Sequence, residues 1–350
     1  MATTTVVADS MKRVAMGLET STTYGTAVKP ILLLEEYDNT LDFNQGVATQ
    51  RVGAANIQRI HVARGFGAPE GSLPVLVTPD KFGPVIYALL GKVTKTGSAA
   101  PYTHAYVPST DGSRPSFTLE HQFGNLFRVF SGMAIMSADF SANNGDFLRC
   151  NLQVSGKESK EYDATQCDAA VAWDAIKVLT APMMTITRDS VEVADTYNPS
   201  WSIMNELVFA SPQQNGVYTP RTGCGAGGVG ATINFFVHQD AATPEGMLRE
   251  FYGATGAAYP FGPASGDMPR MPIDFKFEAN ETIGTSGTAY SIEFNFPACY
   301  VAACNRASLD GMAGWNIQMV ADRDASTGKL LEITVVNSVA DTTTAAVDIS

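Results

Sequence analysis

The chain has 350 residues, 45% of them hydrophobic and only 17% charged, and a formal net charge of −12. That length allows one large domain or two ordinary ones, and the composition is that of a globular protein. The acidic excess excludes a protein that grips phosphate backbones by charge, because such affinity comes from Lys/Arg displacing counterions.

The charge is uneven. Residues 1–170 hold 14 Lys/Arg against 16 Asp/Glu, and residues 171–350 hold 9 against 19. A charged fraction below the usual quarter implies surface that something covers, such as other copies of the chain. The five cysteines, at 150, 167, 224, 299 and 304, are odd in number and fit no zinc spacing. Buried free thiols and a reducing compartment at synthesis are expected. No apolar run approaches the roughly 20 residues that span a bilayer, so no membrane insertion is expected. "MATTTVVADSMKRVAMG" at the start lacks a signal-peptide core.

In chain order, strand signals dominate. Leu73, Val75 and Val77 alternate, as do Tyr102, His104 and Tyr106, then Phe117, Leu119 and His121. Met136, Ala138 and Phe140 share one parity, Asn143-Asn144-Gly145 interrupts, and Leu148, Cys150, Leu152 and Val154 resume it. That is a β-hairpin with one apolar and one wet face. Further on, Val229, Ala231, Ile233, Phe235 and Val237 share a parity, then Ile273, Phe275 and Phe277, then Ile292, Phe294 and Phe296. Trp315, Ile317 and Met319 precede the turn "ADRDASTGK", and Leu331, Ile333 and Val335 follow it.

Helix signals are few. "TPDKFGPVIYALLG" offers Thr78 as N-cap and Pro79 at the first helical position, with Gly91 closing the end; Pro84 moves the regular helix toward a start near Gly83. "TPEGMLREFYG" (243–253) repeats the grammar. Aligning the two helices exposes a repeat of about 165 residues, too long for a solenoid, which reads as a duplicated domain. The hairpin Met136–Val154 then has Tyr290–Phe296 with Trp315–Val320 as its counterpart. The expected division is a first domain over 1–160, a linker over 161–176, a second domain over 177–340 and a C-terminal tail over 341–350. Residues 39–71 read as a long loop of weak pattern, locally basic through Arg51, Arg59 and Arg64.

A search for chemistry finds none. "GCGAGG" matches G-x-G-x-x-G at Gly223, Gly225 and Gly228, but a strand follows where a dinucleotide site needs a helix, so a flexible turn or bulge is the better reading. The four histidines lack metal-ligand spacing, and His104 and His121 share the apolar parity of their strands. No nucleophile elbow, P-loop or H-E-x-x-H occurs. The expectation is no enzyme, no cofactor and no metal.

Four segments occur in a telling order: "ETSTTYGTAVKP" (19–30), "GSLPVLVTPDKFGPVIYALLG" (71–91), "YTHAYVP" (102–108) and "RPSFTLEHQFGNLFRVFSGMAIMSADFSANNGDFLRCNLQVSGKE" (114–158). Together they resemble the tail tube (major tail) proteins of long-tailed bacteriophages. The resemblance implies a mainly β fold: β-sandwich or half-barrel domains, each with one short flanking helix. It implies rings that stack into a hollow tube for DNA, with six tube domains around the axis. Two domains per chain would make that ring of three chains; a second half that decorates the outside would need six. Tape-measure and tail-terminator or tail-tip proteins are the implied partners, and a virion tail assembled in the host bacterial cytoplasm is the implied location.

The polar parity of the hairpin strands holds Asp139, Asp274, Glu278, Glu293 and Glu332 against Arg149 and Lys276. These seven are expected to face the channel, where an acidic wall lets DNA slide and screening limits its reach to about 8–10 Å. Arg51, Arg59 and Arg64 are expected to reach an adjacent ring or chain. The rival class is a non-catalytic carbohydrate-binding or tail-tip β-sandwich module, which would want clustered exposed aromatics; Trp173, Trp201 and Trp315 are scattered, and Trp315 has core parity.

Overall fold

Two-residue periodicity becomes antiparallel pairing throughout the computed structural model, which describes residues 12–19, 24–35, 38–50, 61–123, 126–162, 176–193, 196–210, 222–238, 247, 251 and 268–343. The first half contains β1 (Lys12–Leu18), β2 (Leu32–Leu34), β3 (Asp42–Gln50), β4 (His61–Leu76), α1 (Gly83–Leu90), β5 (Gly91–Thr96), β6 (Tyr102–Pro108), β7 (Phe117–Phe123), β8 (Leu126–Ser141), β9 (Arg149–Ser155) and β10 (Glu158–Tyr162). The second contains β11 (Met184–Arg188), β12 (Val191–Glu192), β13 (Thr196–Ala210), β14 (Thr222–His238), β15 (Met271–Thr282), β16 (Ala289–Leu309), β17 (Met312–Ala321) and β18 (Glu332–Asn337). The protein is mainly β.

Two long strands, β8 and β16, organise the halves. The first part of β8 lies between β7 and β10, with β1 and β2 beyond β7; its second part pairs with β9, followed by β4 and β3. β16 works the same way. Its first part lies between β15 and β18, with β11 and β12 beyond β15; its second part pairs with β17, followed by β14 and β13.

Even the irregularities match. The β8–β9 ladder slips between Ile135 and Ser137, and the β16–β17 ladder between Val301 and Ala303. The β3–β4 ladder slips between Gln45 and Val47, and the β13–β14 ladder between Asn205 and Leu207. A bulge adds a residue to one strand and re-aims its side chains. Hence Ile135, not Met136, is buried ahead of Ala138 and Phe140.

Two expectations are corrected. Tyr290–Phe296 does not pair with Trp315–Val320. At 21 residues β16 is long enough to serve two layers, and β17 takes its far part, Cys299–Leu309. The described residues of 39–71 are not a loop of weak pattern but a strand pair. β3 and β4 pair from Asp42↔Glu70 to Gln50↔His61, held by main-chain bonds that need no hydrophobic alternation.

Among the described residues, strands of the two halves pair in two places. Ser137–Ser141 of β8 pairs with Ser200–Met204 of β13, and β6 pairs with β18. One hydrophobic core runs through residues from both sides of 161–176. Its centre is Trp201, 1% exposed, stacked on Phe140 at 5.6 Å and Phe275 at 4.7 Å, with Phe294 edge-on at 4.8 Å. Phe140 and Trp201 belong to one layer, Phe275 and Phe294 to the other, so this cluster cements the sandwich. Ring pairs of this kind add about 0.5–1.5 kcal/mol each beyond their burial.

β8 changes layers at Gly132, whose φ of +65° belongs to the left-handed region that favours glycine. Glu19 and Tyr24 clamp this corner. Gly132 N–H donates to Glu19 Oε1 at 2.8 Å, and the Tyr24 hydroxyl donates to Gly132 O at 2.6 Å. Ser116 and Thr118 hydroxyls also donate to the Glu19 carboxylate. Burial nevertheless holds the Glu19 pKa above the ordinary value.

α1 begins at Gly83 with Pro84 in its first turn, as the sequence anticipates, but Phe82 holds the N-cap position and no side chain caps it. Thr78 instead accepts the Phe82 N–H through its carbonyl, one turn early. Gly91 closes the helix at φ +85°. Met247 and Phe251 of the second "TP" segment are helical; its other residues lie outside the described ones.

Candidate assembly surface

Among the described residues no group of three or more His, Cys, Asp or Glu is placed to hold a metal ion. Cys150, Cys299 and Cys304 are free thiols, all buried, and burial raises their pKa, for Cys299 to about 12 and for Cys304 to about 11. His104 is buried with Nε2 2.9 Å from Val339 O. "GCGAGG" falls in β14, opposite the register shifts of β13.

What remains is one continuous layer and its two ends. The strand order β3–β4–β9–β8–β13–β14–β17–β16 runs through both halves. At one end, β3 pairs with β4 alone among the described residues. At the other, the part of β16 beyond Cys299 pairs with β17 alone among the described residues. Among the described residues both ends therefore present unpaired strand edges.

The edge at β3 has a resolvable polarity. Gly156 N–H donates to Pro69 O, so Pro69 turns its carbonyl toward β9. Directly opposite residues of an antiparallel pair aim their main-chain groups the same way, inward or outward together. Phe43, opposite Pro69, therefore points its N–H away from β4, at the open edge. There the neighbouring Asp42 carboxylate accepts it at 2.7 Å. Asp42 is also bound by Arg128 at 2.6 Å.

The outer face of this layer is polar and sparsely charged. Ser137, Asn151, Gln153, Ser202, Asn234 and Gln318 are half-buried or exposed on it. Asp139 and Arg149 share this face, Arg149 paired with Asp146 at 3.0 Å.

The other five expected channel residues lie elsewhere. Asp274, Lys276 and Glu278 on β15, Glu293 on β16 and Glu332 on β18 occupy the outer face of the opposite layer. The aromatic core lies between the two sets. Lys276 and Glu278 pair at 2.7 Å. The Glu293 carboxyl is held above its ordinary pKa by burial first, then by Asp274 and Glu332.

Of the three expected reaching arginines, Arg51 and Arg59 lie outside the described residues. Arg64 lies in β4 opposite Val47. Sequence reasoning missed Asn205, which is buried at the β13 bulge and donates to Leu89 O at 2.9 Å and Ile135 O at 3.1 Å. It ties the end of α1 and the β8 bulge to β13. Two features depart from an aromatic sugar platform: Trp201 is buried, and Arg306 sits over the Trp315 ring at 5.4 Å.

Comparison with curated proteins gives no match. A family model described as phage tail tube protein matches residues 10–233, which covers the corner at Gly132, strands β1 to β10 and the β8–β13 join. The chain belongs to the phage tail tube protein family and is a structural protein of the virion tail.

Proposed function

We propose that copies of this chain close into rings, that the rings stack into a hollow tube, and that DNA passes through its bore to the host. The observation that carries this reading is the single layer that crosses both halves and ends in two open strand edges. An open edge at each end of one layer is what a ring-former needs and what a monomer avoids.

The matching ladders of the halves support a duplicated tube domain, and hence three chains per pseudo-sixfold ring, with six chains as the alternative. The sparsely charged outer face of the shared layer is the bore side in this reading. Amide and hydroxyl groups hydrate the wall without gripping phosphates, and Asp139 and Arg149 face the channel. Asp274, Lys276, Glu278, Glu293 and Glu332 then face outward, so the acidic-lumen expectation narrows to a neutral-polar one. The β3–β4 ribbon reaches toward the next ring, and Arg51, Arg59 and Arg64 are the residues that meet it. Assembly takes place in the host cytoplasm, with tape-measure and tail-terminator or tail-tip proteins fixing length and ends.

Electron microscopy of the purified protein tests this directly. Hollow stacked rings with threefold or sixfold symmetry are expected; dispersed globules under every polymerising condition sink the reading.

A further inference from the structure

The join inside the chain is a template for the join between chains. Two independent landmarks align the halves. The bulge in β8–β9 aligns Ser137, Ala138, Asp139, Phe140 and Ser141 with Ala303, Cys304, Asn305, Arg306 and Ala307 of β16. The bulge in β3–β4 aligns Asp42, Phe43 and Asn44 with Ser202, Ile203 and Met204 of β13. The two alignments agree where they meet. The first equates Ser155 with Val320, the second equates Glu70 with Thr232, and the structure pairs Glu70 with Ser155 and Thr232 with Val320.

Within the chain, β8 and β13 pair as Asp139↔Ser202 and Ala138↔Ile203. Carried through the alignment, those pairs become Asn305↔Asp42 and Cys304↔Phe43. The first member of each lies on the open edge of β16, the second on or beside the open edge of β3. We infer that β16 of one chain pairs antiparallel with β3 of the next in this one register, Ala303↔Asn44, Asn305↔Asp42 and Ala307↔Thr40. The inference rests on the ring reading above and adds its partner surface and register.

Three observations fit. The outward Phe43 N–H meets the Cys304 position, as Ile203 meets Ala138 inside the chain. No like charges stand opposite each other in the register, which would be destabilising. Position 45, equivalent to the seam-bridging Asn205, carries the same carboxamide chemistry as Gln45. Pairing must displace the Asp42 carboxylate from the Phe43 N–H, so the edge is guarded until a second copy arrives.

The test is a cysteine ladder. Cys304↔Phe43 is a hydrogen-bonded pair in this register, so Asn305↔Asp42 is the adjacent non-hydrogen-bonded pair, with Cα atoms about 4.5 Å apart. That distance accepts a disulfide. The variant Asp42→Cys/Asn305→Cys, assembled and then oxidised with copper–phenanthroline, should give covalent multimers that stop at the ring's chain count. Asp42→Cys/Ser308→Cys, off register, should stay monomeric on denaturing gels. Unmodified protein, followed by hydrogen exchange, should gain protection at Phe43 and Cys304 on assembly. Rings without the ladder and without that protection overturn the register while the ring reading stands. No rings, no ladder and no protection overturn both. A ladder from the off-register variant alone overturns the register.

Discussion

The same layer is joined in the middle and open at its ends, and the two places are built from opposite chemistry. At the internal join Phe140 stands opposite Trp201, ring on ring, sealed in the core. At the aligned positions on the open edges stand Arg306, which is exposed, and Leu41, which is buried within its own chain. A permanent interface is apolar like a core cut in half; one that must first exist in water carries polar groups on its rim. The difference teaches that one strand-pairing geometry can serve as a fold element or as an assembly element, depending on what fills its faces.

The strongest way to break the internal join is Trp201→Ala. It empties the space between Phe140, Phe275 and Phe294 and should cost about 3–5 kcal/mol, read as a lower denaturation midpoint. Trp201→Phe should cost less, because the indole Nε1 has no hydrogen-bond partner to lose. A Trp201→Ala chain as stable as the parent would show that the halves do not depend on their shared core.

Asn205→Leu attacks the same join more lightly. It leaves Leu89 O at the end of α1 and Ile135 O at the β8 bulge without their side-chain donor, which should cost about 1–3 kcal/mol. Hydrogen exchange in α1 and β8 should rise together, since one amide serves both. A rise in only one would separate the helix from the seam.

These residues also mark how far the sequence could be read. Parity exposed most of the strands, because each has one buried face, and α1 was legible down to its start at Gly83. Trp201 was invisible as the core's centre: nothing local in "NPSWSIMNE" says that Phe275 and Phe294 arrive from another layer. The Met136 parity failed because one inserted residue flips every side chain before it. The β3–β4 ribbon was hidden since main-chain pairing leaves no periodic trace. Channel residues were assigned by polarity, which labels a wet face but not which side of the sandwich it is on.

The open edge should yield to a change that the free chain tolerates. Arg306→Pro removes an outward main-chain donor in the proposed register, and proline is accepted on edge strands. The lost stacking of Arg306 on Trp315 should cost about 1 kcal/mol or less. Assembly, measured by sedimentation, should fail nonetheless. Normal polymerisation of this variant would place the contact on another edge.

The smallest effect lies on the opposite layer, where the halves join through β6 and β18. Glu293 is held above its ordinary pKa by burial and by the neighbouring Asp274 and Glu332, with Lys276 opposing them. A carboxyl whose pKa is raised by folding is comfortable when protonated and costs stability once ionised. Glu293→Gln should therefore be slightly more stable than the parent at neutral pH, and that gain should fade as pH falls through the raised value toward 4.5, the ordinary one. Removing Lys276 as Lys276→Met should move the Glu293 titration, followed by NMR, further upward. A downward move would mean that Glu293 takes its charge balance from groups other than this strand pair, and the two layers would then differ in electrostatics less than their sequences imply.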